Sequence, residues 1–133
     1  MIVVDTNVIA YLFLRGDFAA RAEAWLIDDR DWVVPMLWRS EFRNLLGGYL
    51  RRKQLTFEAV LEIQREAEAL LMGSEHEVDS QRVLELVRSS DCSAYDCEFV
   101  SVAMRLGVKL LTADGKVLKA FPQHTVAFFA INV

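Results

Sequence analysis

Residues 1–11 read MIVVDTNVIAY, and three β-branched residues, Ile2, Val3 and Val4, are followed directly by Asp5-Thr6-Asn7. A short run of this kind is typical of a strand buried on both faces in a parallel sheet. Ligands of open parallel sheets bind beyond the carboxyl ends of the strands, so Asp5 stands where a site residue is expected. Taken alone, Asp5 could equally be a turn or cap residue that starts the next helix.

The size and composition of the chain limit what it can be. Its 133 residues and 15.2 kDa predict one compact domain over 1–133. No apolar run approaches the roughly 20 residues that a membrane span needs, and no export signal opens the sequence, so we expect a cytoplasmic protein with no membrane contact. A net charge of −4 argues against a broadly basic nucleic-acid surface. Cys92 and Cys97 have no partners for zinc or a disulfide framework, and we expect reduced thiols.

Short β-branched runs alternate with helical apolar periodicity along the chain. This pattern predicts an α/β domain whose central sheet has four to five short strands, is mostly parallel and is flanked by helices. Strands are predicted at 2–4, 32–34, 75–78, 108–112 and 124–130. Helices are predicted from Thr6 or Asn7 to Leu14, from an Asp17 cap to Asp28, from Pro35 to Lys53, from a Thr56 cap to Met72, from Asp79 to Ser90, over 93–107 and over 114–121.

Asp114 repeats the arrangement of Asp5, because Thr112 closes the predicted strand 108–112 and Asp114 follows it. The carboxyl ends of parallel strands lie at one edge of a sheet, so these two acids are expected to be close in space. By itself Asp114 could be a helix N-cap or a turn residue before Gly115.

Glu41 lies inside an apolar stripe formed by Trp38, Phe42, Leu45 and Tyr49 at helical spacing. A carboxylate directed inward with core side chains needs a cation, because an unpaired buried charge costs several kcal/mol. The alternatives are a salt bridge to an arginine or a position at the edge of the stripe.

Asp96 shows the same conflict, since it shares a helical face with Phe99, Val100 and Ala103. Ser93, three residues earlier, also fits a capping box with Asp96, although that motif prefers Glu or Gln. Four carboxylates in one pocket repel each other unless divalent cations hold them, and oxygen ligands favour Mg²⁺ or Mn²⁺ over zinc.

Three segments together resemble the PIN-domain ribonucleases, and in particular the VapC-type toxins of prokaryotic toxin–antitoxin pairs. They are IVVDTNVIAYLF (2–13), WRSEFRNLL (38–46) and SAYDCEFVSVAMRLGVKLLTAD (93–114), and the resemblance covers the whole chain. It implies that the catalytic and metal-binding acids are Asp5, Glu41, Asp96 and Asp114, with Thr6, Asn7 and Thr112 as polar support. Some relatives carry a further acid after the last aspartate, where this chain has Gly115 and Lys116, so one tightly bound ion is expected.

The resemblance further implies a metal-dependent endoribonuclease that acts as the toxin of a type II toxin–antitoxin pair. Its cofactor would be Mg²⁺ or Mn²⁺, its substrate RNA, and its partner a small antitoxin protein. Candidate phosphate contacts are Arg39, Arg43 and Lys116. A homodimer is predicted because helices bearing Trp25, Leu26, Phe57, Leu61 and Leu70 have more apolar surface than one small sheet covers.

Two other classes of function fit parts of the sequence. A catalytically inactive PIN-like module would use its acids as caps and salt bridges and would bind a protein. A phosphate-handling α/β hydrolase also ends its first strand in Asp, but usually has an acid pair at that point. Metal-dependent cleavage of RNA separates the three classes.

Overall fold

Five strands form one sheet in the computed structural model, which describes residues 1–131. The strands are β1 (Ile2–Val4), β2 (Trp32–Pro35), β3 (Glu75–His76), β4 (Leu110–Thr112) and β5 (Thr125–Ala127). Their order is β3-β2-β1-β4-β5, and every neighbouring pair is parallel. The α/β prediction is confirmed, with a sheet that is entirely rather than mostly parallel.

Helices cover both faces of this sheet within residues 1–131. They are α1 (Thr6–Phe13), α2 (Ala19–Asp28), α3 (Trp38–Arg51), α4 (Phe57–Leu71), α5 (Ser80–Arg88), α6 (Ala94–Leu106) and α7 (Gly115–Ala120). None of these helices is long and apolar enough to cross a bilayer. The predicted domain of 1–133 extends two residues beyond the described part of the chain.

Side-chain caps start most of these helices. Thr56, Asp79 and Ser93 cap α4, α5 and α6, as the sequence predicts. The prediction of Thr6 or Asn7 as the cap of α1 is wrong, because Thr6 is already helical and the Asp5 carboxylate accepts the Val8 N–H at 3.0 Å. The prediction for α2 is also wrong, since that helix follows Phe18 without a side-chain cap.

Several predicted boundaries differ from the structure by one or two residues, and the start of α3 and the end of β5 differ by three. Pro35 ends β2 rather than opening α3, and the pairing with β3 continues after it, since the Met36 N–H donates to the His76 carbonyl at 3.0 Å. The predicted strand 124–130 stops at Ala127 and continues as a 3-10 helix, Phe128–Ala130. The chain turns there because the Phe128 ring is fully buried, while its carbonyl accepts the Trp25 indole N–H at 2.7 Å.

Strand β1 lies at the centre of the sheet, between β2 and β4, and all of its residues are buried. Val3, Val4 and Leu111 are completely buried, and the Asp5 N–H donates to the Leu111 carbonyl at 3.2 Å. The carboxyl ends of β1 and β4 are therefore level with each other, and the residues that follow them meet at one edge. Cys92 and Cys97 are buried free thiols, as expected.

The buried stripe of α3 differs slightly from the predicted one. Trp38, Phe42 and Leu46 are buried at successive spacings of four, whereas Leu45 and Tyr49 are only half-buried. The stripe is set by the i, i+4 geometry of the helix, and it leaves Glu41 and Leu45 beside the core rather than within it.

Candidate functional site

A recess of about 210 Å³ opens at the carboxyl ends of β1 and β4, and we call it the acid recess. All four predicted acids and all three predicted polar residues line it: Asp5, Thr6, Asn7, Glu41, Asp96, Thr112 and Asp114. No lysine or arginine of the described residues belongs to its wall. Asn44 also lines the recess and was missed from the sequence, although its position one turn after Glu41 could have indicated it.

Asp5 is the acid most enclosed by protein. One carboxylate oxygen caps α1, and the other accepts the Thr112 hydroxyl at 2.5 Å. Burial raises the pKa of Asp5 to about 6, and the charges of Asp114 and Glu41 add to this against the lowering effect of the two hydrogen bonds. Asp5 is therefore an acid whose charge the protein itself does not neutralise.

Glu41 reaches the same recess from the first turn of α3. Its Oε1 accepts the Thr6 hydroxyl at 2.7 Å, and burial followed by the charge of Asp96 raises the pKa of its carboxyl. Glu41 forms no ion pair within residues 1–131. The alternative of a salt bridge to an arginine is not what the structure shows.

Asp96 combines capping with a position in the wall of the recess. Its backbone N–H donates to the Ser93 hydroxyl at 3.0 Å, and hydrogen bonds from Ser93 to its carboxylate lower its pKa. Burial, the largest effect, and the charge of Asp114 outweigh them, so the pKa of Asp96 is raised. The capping box is real, and it leaves the carboxylate facing the other acids.

Asp114 is an exposed acid at the start of α7. Its carboxylate accepts the Lys116 N–H at 2.9 Å, while its own N–H donates to the Thr112 hydroxyl oxygen at 3.0 Å. Because the same Thr112 hydroxyl donates to Asp5, one side chain that is 1% exposed fixes the spacing of two acids.

The predicted phosphate contacts fall into different environments. The Arg39 guanidinium is held by Glu75 at 2.6 Å and Glu68 at 2.9 Å, and it does not line the acid recess. Arg43 is exposed on α3, where it donates to the Ser40 hydroxyl at 3.3 Å. Lys116 lies near enough to Asp96 for its charge to lower the pKa of that acid. Because Arg39 pairs with Glu75 of β3 and Glu68 of α4, it joins α3 to these two elements.

The donors suit a hydrated hard cation. Within residues 1–131 no group of three or more aspartate, glutamate, histidine or cysteine side chains is arranged to hold a metal ion directly. Mg²⁺ usually keeps several waters and binds through one or two carboxylates. Carboxylates with raised pKa values around a recess of about 210 Å³, which has room for a cation and several of its waters, fit that mode of binding, and hydroxyl and amide groups support them.

Comparisons with known proteins agree with this architecture. No curated protein sequence matches the chain significantly. The structure of FitAcB from Neisseria gonorrhoeae superposes with a TM-score of 0.79 at 18% identity, covering 98% of this chain and 100% of that one. PAE2754 from Pyrobaculum aerophilum gives 0.77 at 18% identity, covering 96% and 83%. A toxin–antitoxin complex from Klebsiella pneumoniae gives 0.67 at 17% identity, covering 98% and 100%.

At these identities the structural matches establish a common fold. The sequence model of the PIN domain matches residues 2–122, which is most of the chain. The four acids at the edge of a five-stranded parallel sheet lie within that match. The chain belongs to the PIN-domain family.

Proposed function

We propose that this protein is a Mg²⁺- or Mn²⁺-dependent endoribonuclease that hydrolyses RNA phosphodiester bonds as the toxin of a type II toxin–antitoxin pair. The observation that carries the proposal is the acid recess, which gathers four carboxylates and, among the described residues, has no basic side chain in its wall. Such a site at pH 7 gains most from a divalent cation, because three of its acids have raised pKa values.

When bound, the ion supplies a coordinated water of lowered pKa and positive charge beside the phosphate. Asp5 and Asp96 are assigned as its direct ligands. Glu41 and Asp114 would complete the site, either by hydrogen-bonding to waters of the ion or by orienting the water that attacks the phosphate. The hydroxyls of Thr6 and Thr112 hold the Glu41 and Asp5 carboxylates in place, so these acids need little reorganisation.

The same charge pattern is compatible with a partner protein that carries a basic side chain. One of the structural matches is a toxin–antitoxin complex by its name. An antitoxin that places a basic side chain among the four acids would offset their charge as a metal ion does. We include such an antitoxin in the proposal, with inhibition by occupation of the acid recess.

The proposal also includes a homodimer. Phe57, Leu70 and Met72, at the ends of α4, are exposed by 62%, 38% and 75%, which leaves apolar surface uncovered on one protomer. Trp25 belongs to the core instead, since it is buried and bonded to Phe128. The proposed dimer therefore uses α4.

One observation favours the inactive module as a second candidate. Asp5 and Asp114 cap helices, and Asp96 completes a capping box, so each of the three has a structural role without any metal. A module that uses its acids in this way would keep its fold and bind a protein without cutting RNA.

Substitutions of two helix-capping acids, one inside the acid recess and one outside it, distinguish the nuclease from the inactive module. Asp114 caps α7 inside the acid recess, and Asp79 caps α5 outside it by accepting the Arg82 N–H at 3.1 Å. Asn caps helices about as well as Asp, so Asp114→Asn and Asp79→Asn should both fold. With Mn²⁺ and total RNA, we expect Asp79→Asn to cut like the wild type and Asp114→Asn to lose most cleavage. Equal cleavage by the two variants, or none by the wild type, would refute the nuclease proposal.

A further inference from the structure

A second recess, of about 260 Å³, adjoins the acid recess. It lies between α1, the turn that follows it, the start of α2 and the second half of α3. Asn7 and Leu45 belong to the walls of both recesses, so the two recesses adjoin at these residues. A chain whose phosphate lies among the acids would therefore reach the second recess with a neighbouring group.

Three aromatic residues belong to the wall of this second recess, which we call the aromatic recess. Its rings are Tyr11, Phe18 and Tyr49. Tyr11 and Phe18 meet edge to face, with their ring centres 5.1 Å apart. Arg52, outside the wall of the recess, places its guanidinium over the Tyr49 ring, 5.0 Å from the ring centre. Flat rings and arginine planes are the surfaces on which unpaired bases stack.

The polar groups of the aromatic recess point to the same ligand. Its wall includes Asn7, Arg15 and Asp17, whose side chains carry an amide, a guanidinium and a carboxylate. Donors and acceptors of these kinds are able to read the edge of a base once its face is stacked. A purely apolar segment of a partner protein would leave them without partners, at a cost in binding.

The size of the aromatic recess also restricts the ligand. At about 260 Å³ it is smaller than the roughly 300–1,000 Å³ of sites for drug-sized molecules, and it suits a single planar ring system. We propose that the aromatic recess binds one unstacked nucleobase of the RNA, next to the phosphodiester held in the acid recess, with Tyr49 as its stacking surface. This inference rests on the proposed nuclease function and adds a base-binding subsite to it.

A binding cycle tests the inference without relying on catalysis. The protein carries Asp96→Asn in every arm, so that cleavage does not consume the probe. The probes are a labelled oligouridylate of about ten nucleotides and the same ribose–phosphate chain without bases, each in Mg²⁺ buffer. Binding is measured by fluorescence anisotropy for the Asp96→Asn protein with Tyr49 unchanged, with Tyr49→Leu and with Tyr49→Phe. Leucine keeps apolar packing at this half-buried position but has no aromatic face.

Tyr49→Leu is expected to weaken binding of the oligouridylate by about 5-fold to 150-fold, the range for losing one base–aromatic stack, and to leave binding of the base-free chain unchanged. Tyr49→Phe should bind both probes like the parent. The same loss on both probes, or no loss on either, overturns the inference, and the latter would favour a protein segment as the occupant. Failure of the wild type to cut RNA with Mn²⁺ would refute the nuclease proposal alone, since the cycle reports base binding by itself.

Discussion

Asp5→Asn offers a quantitative test of the charge repulsion in the acid recess. The folded protein holds the pKa of Asp5 at about 6 instead of the ordinary 3.8, because burial disfavours its charged form. The folded state therefore binds more protons than the unfolded chain between these two values. The stability that the folded state gains by binding the Asp5 proton more tightly is fully present below about pH 3.8. It is lost as the pH rises through about 6.

The size of this effect follows from the two pKa values. The difference between about 6 and 3.8 corresponds to about 3 kcal/mol at pH values above both. An asparagine side chain in place of Asp5 would carry no charge, and its carbonyl oxygen could still accept the Val8 N–H. In metal-free buffer we expect Asp5→Asn to raise the free energy of unfolding by up to about 3 kcal/mol at pH 8, and to change it little at pH 4.

The assay is chemical denaturation at pH 4 and pH 8 with a chelator, repeated at pH 8 with Mn²⁺. An ion present at 100 times its Kd stabilises the wild type by about 2.7 kcal/mol, and Asp5→Asn should lose most of that gain. Asp79→Asn is the control, because it removes the same charge from an exposed cap outside the acid recess. If Asp5→Asn destabilises the protein equally at both pH values and retains the Mn²⁺ effect, the picture of a repulsive metal-binding recess is wrong.

Three further predictions concern catalysis, assembly and the partner. Asp96→Asn should abolish Mn²⁺-dependent RNA cleavage. Glu98→Gln should change cleavage little, because it removes the same charge from α6 but lies outside the wall of the acid recess. Equal activity of the two variants in a cleavage assay would count against the site. Sedimentation at micromolar concentration should give about 30 kDa, twice the 15.2 kDa protomer, and a species of only 15.2 kDa would count against the dimer. Expression of the wild type alone should arrest growth and degrade RNA, whereas Asp5→Asn should do neither; identical behaviour of the two would remove support for the toxin.

Several features of the fold could be predicted from short stretches of sequence. The β-branched run at 2–4 and the caps at Thr56, Asp79 and Ser93 act through steric effects and hydrogen bonds within a few residues. The order of strands and acids then predicts a parallel sheet with carboxylates at one edge. The predicted cap of α1 is wrong because three adjacent residues, Asp5, Thr6 and Asn7, are each able to cap a helix, and Asp5 is the one that does.

The geometry of the candidate site depends on contacts between residues far apart in the chain. The Thr112 hydroxyl joins Asp5 across 107 positions, and Thr6 joins Glu41 across 35. The sequence predicts that Arg39 contacts phosphate, whereas in the structure its guanidinium donates to the carboxylate of Glu75, 36 positions away.

The sequence by itself therefore determined the residue types, the class of fold and the edge at which the acids lie, because these depend on local backbone preference and on the direction of parallel strands. Only the tertiary structure decided which acids are buried, which hydroxyls hold them, which arginine is paired and where the aromatic recess opens. Burial and pairing depend on packing between distant elements, and no local pattern of residues contains that information.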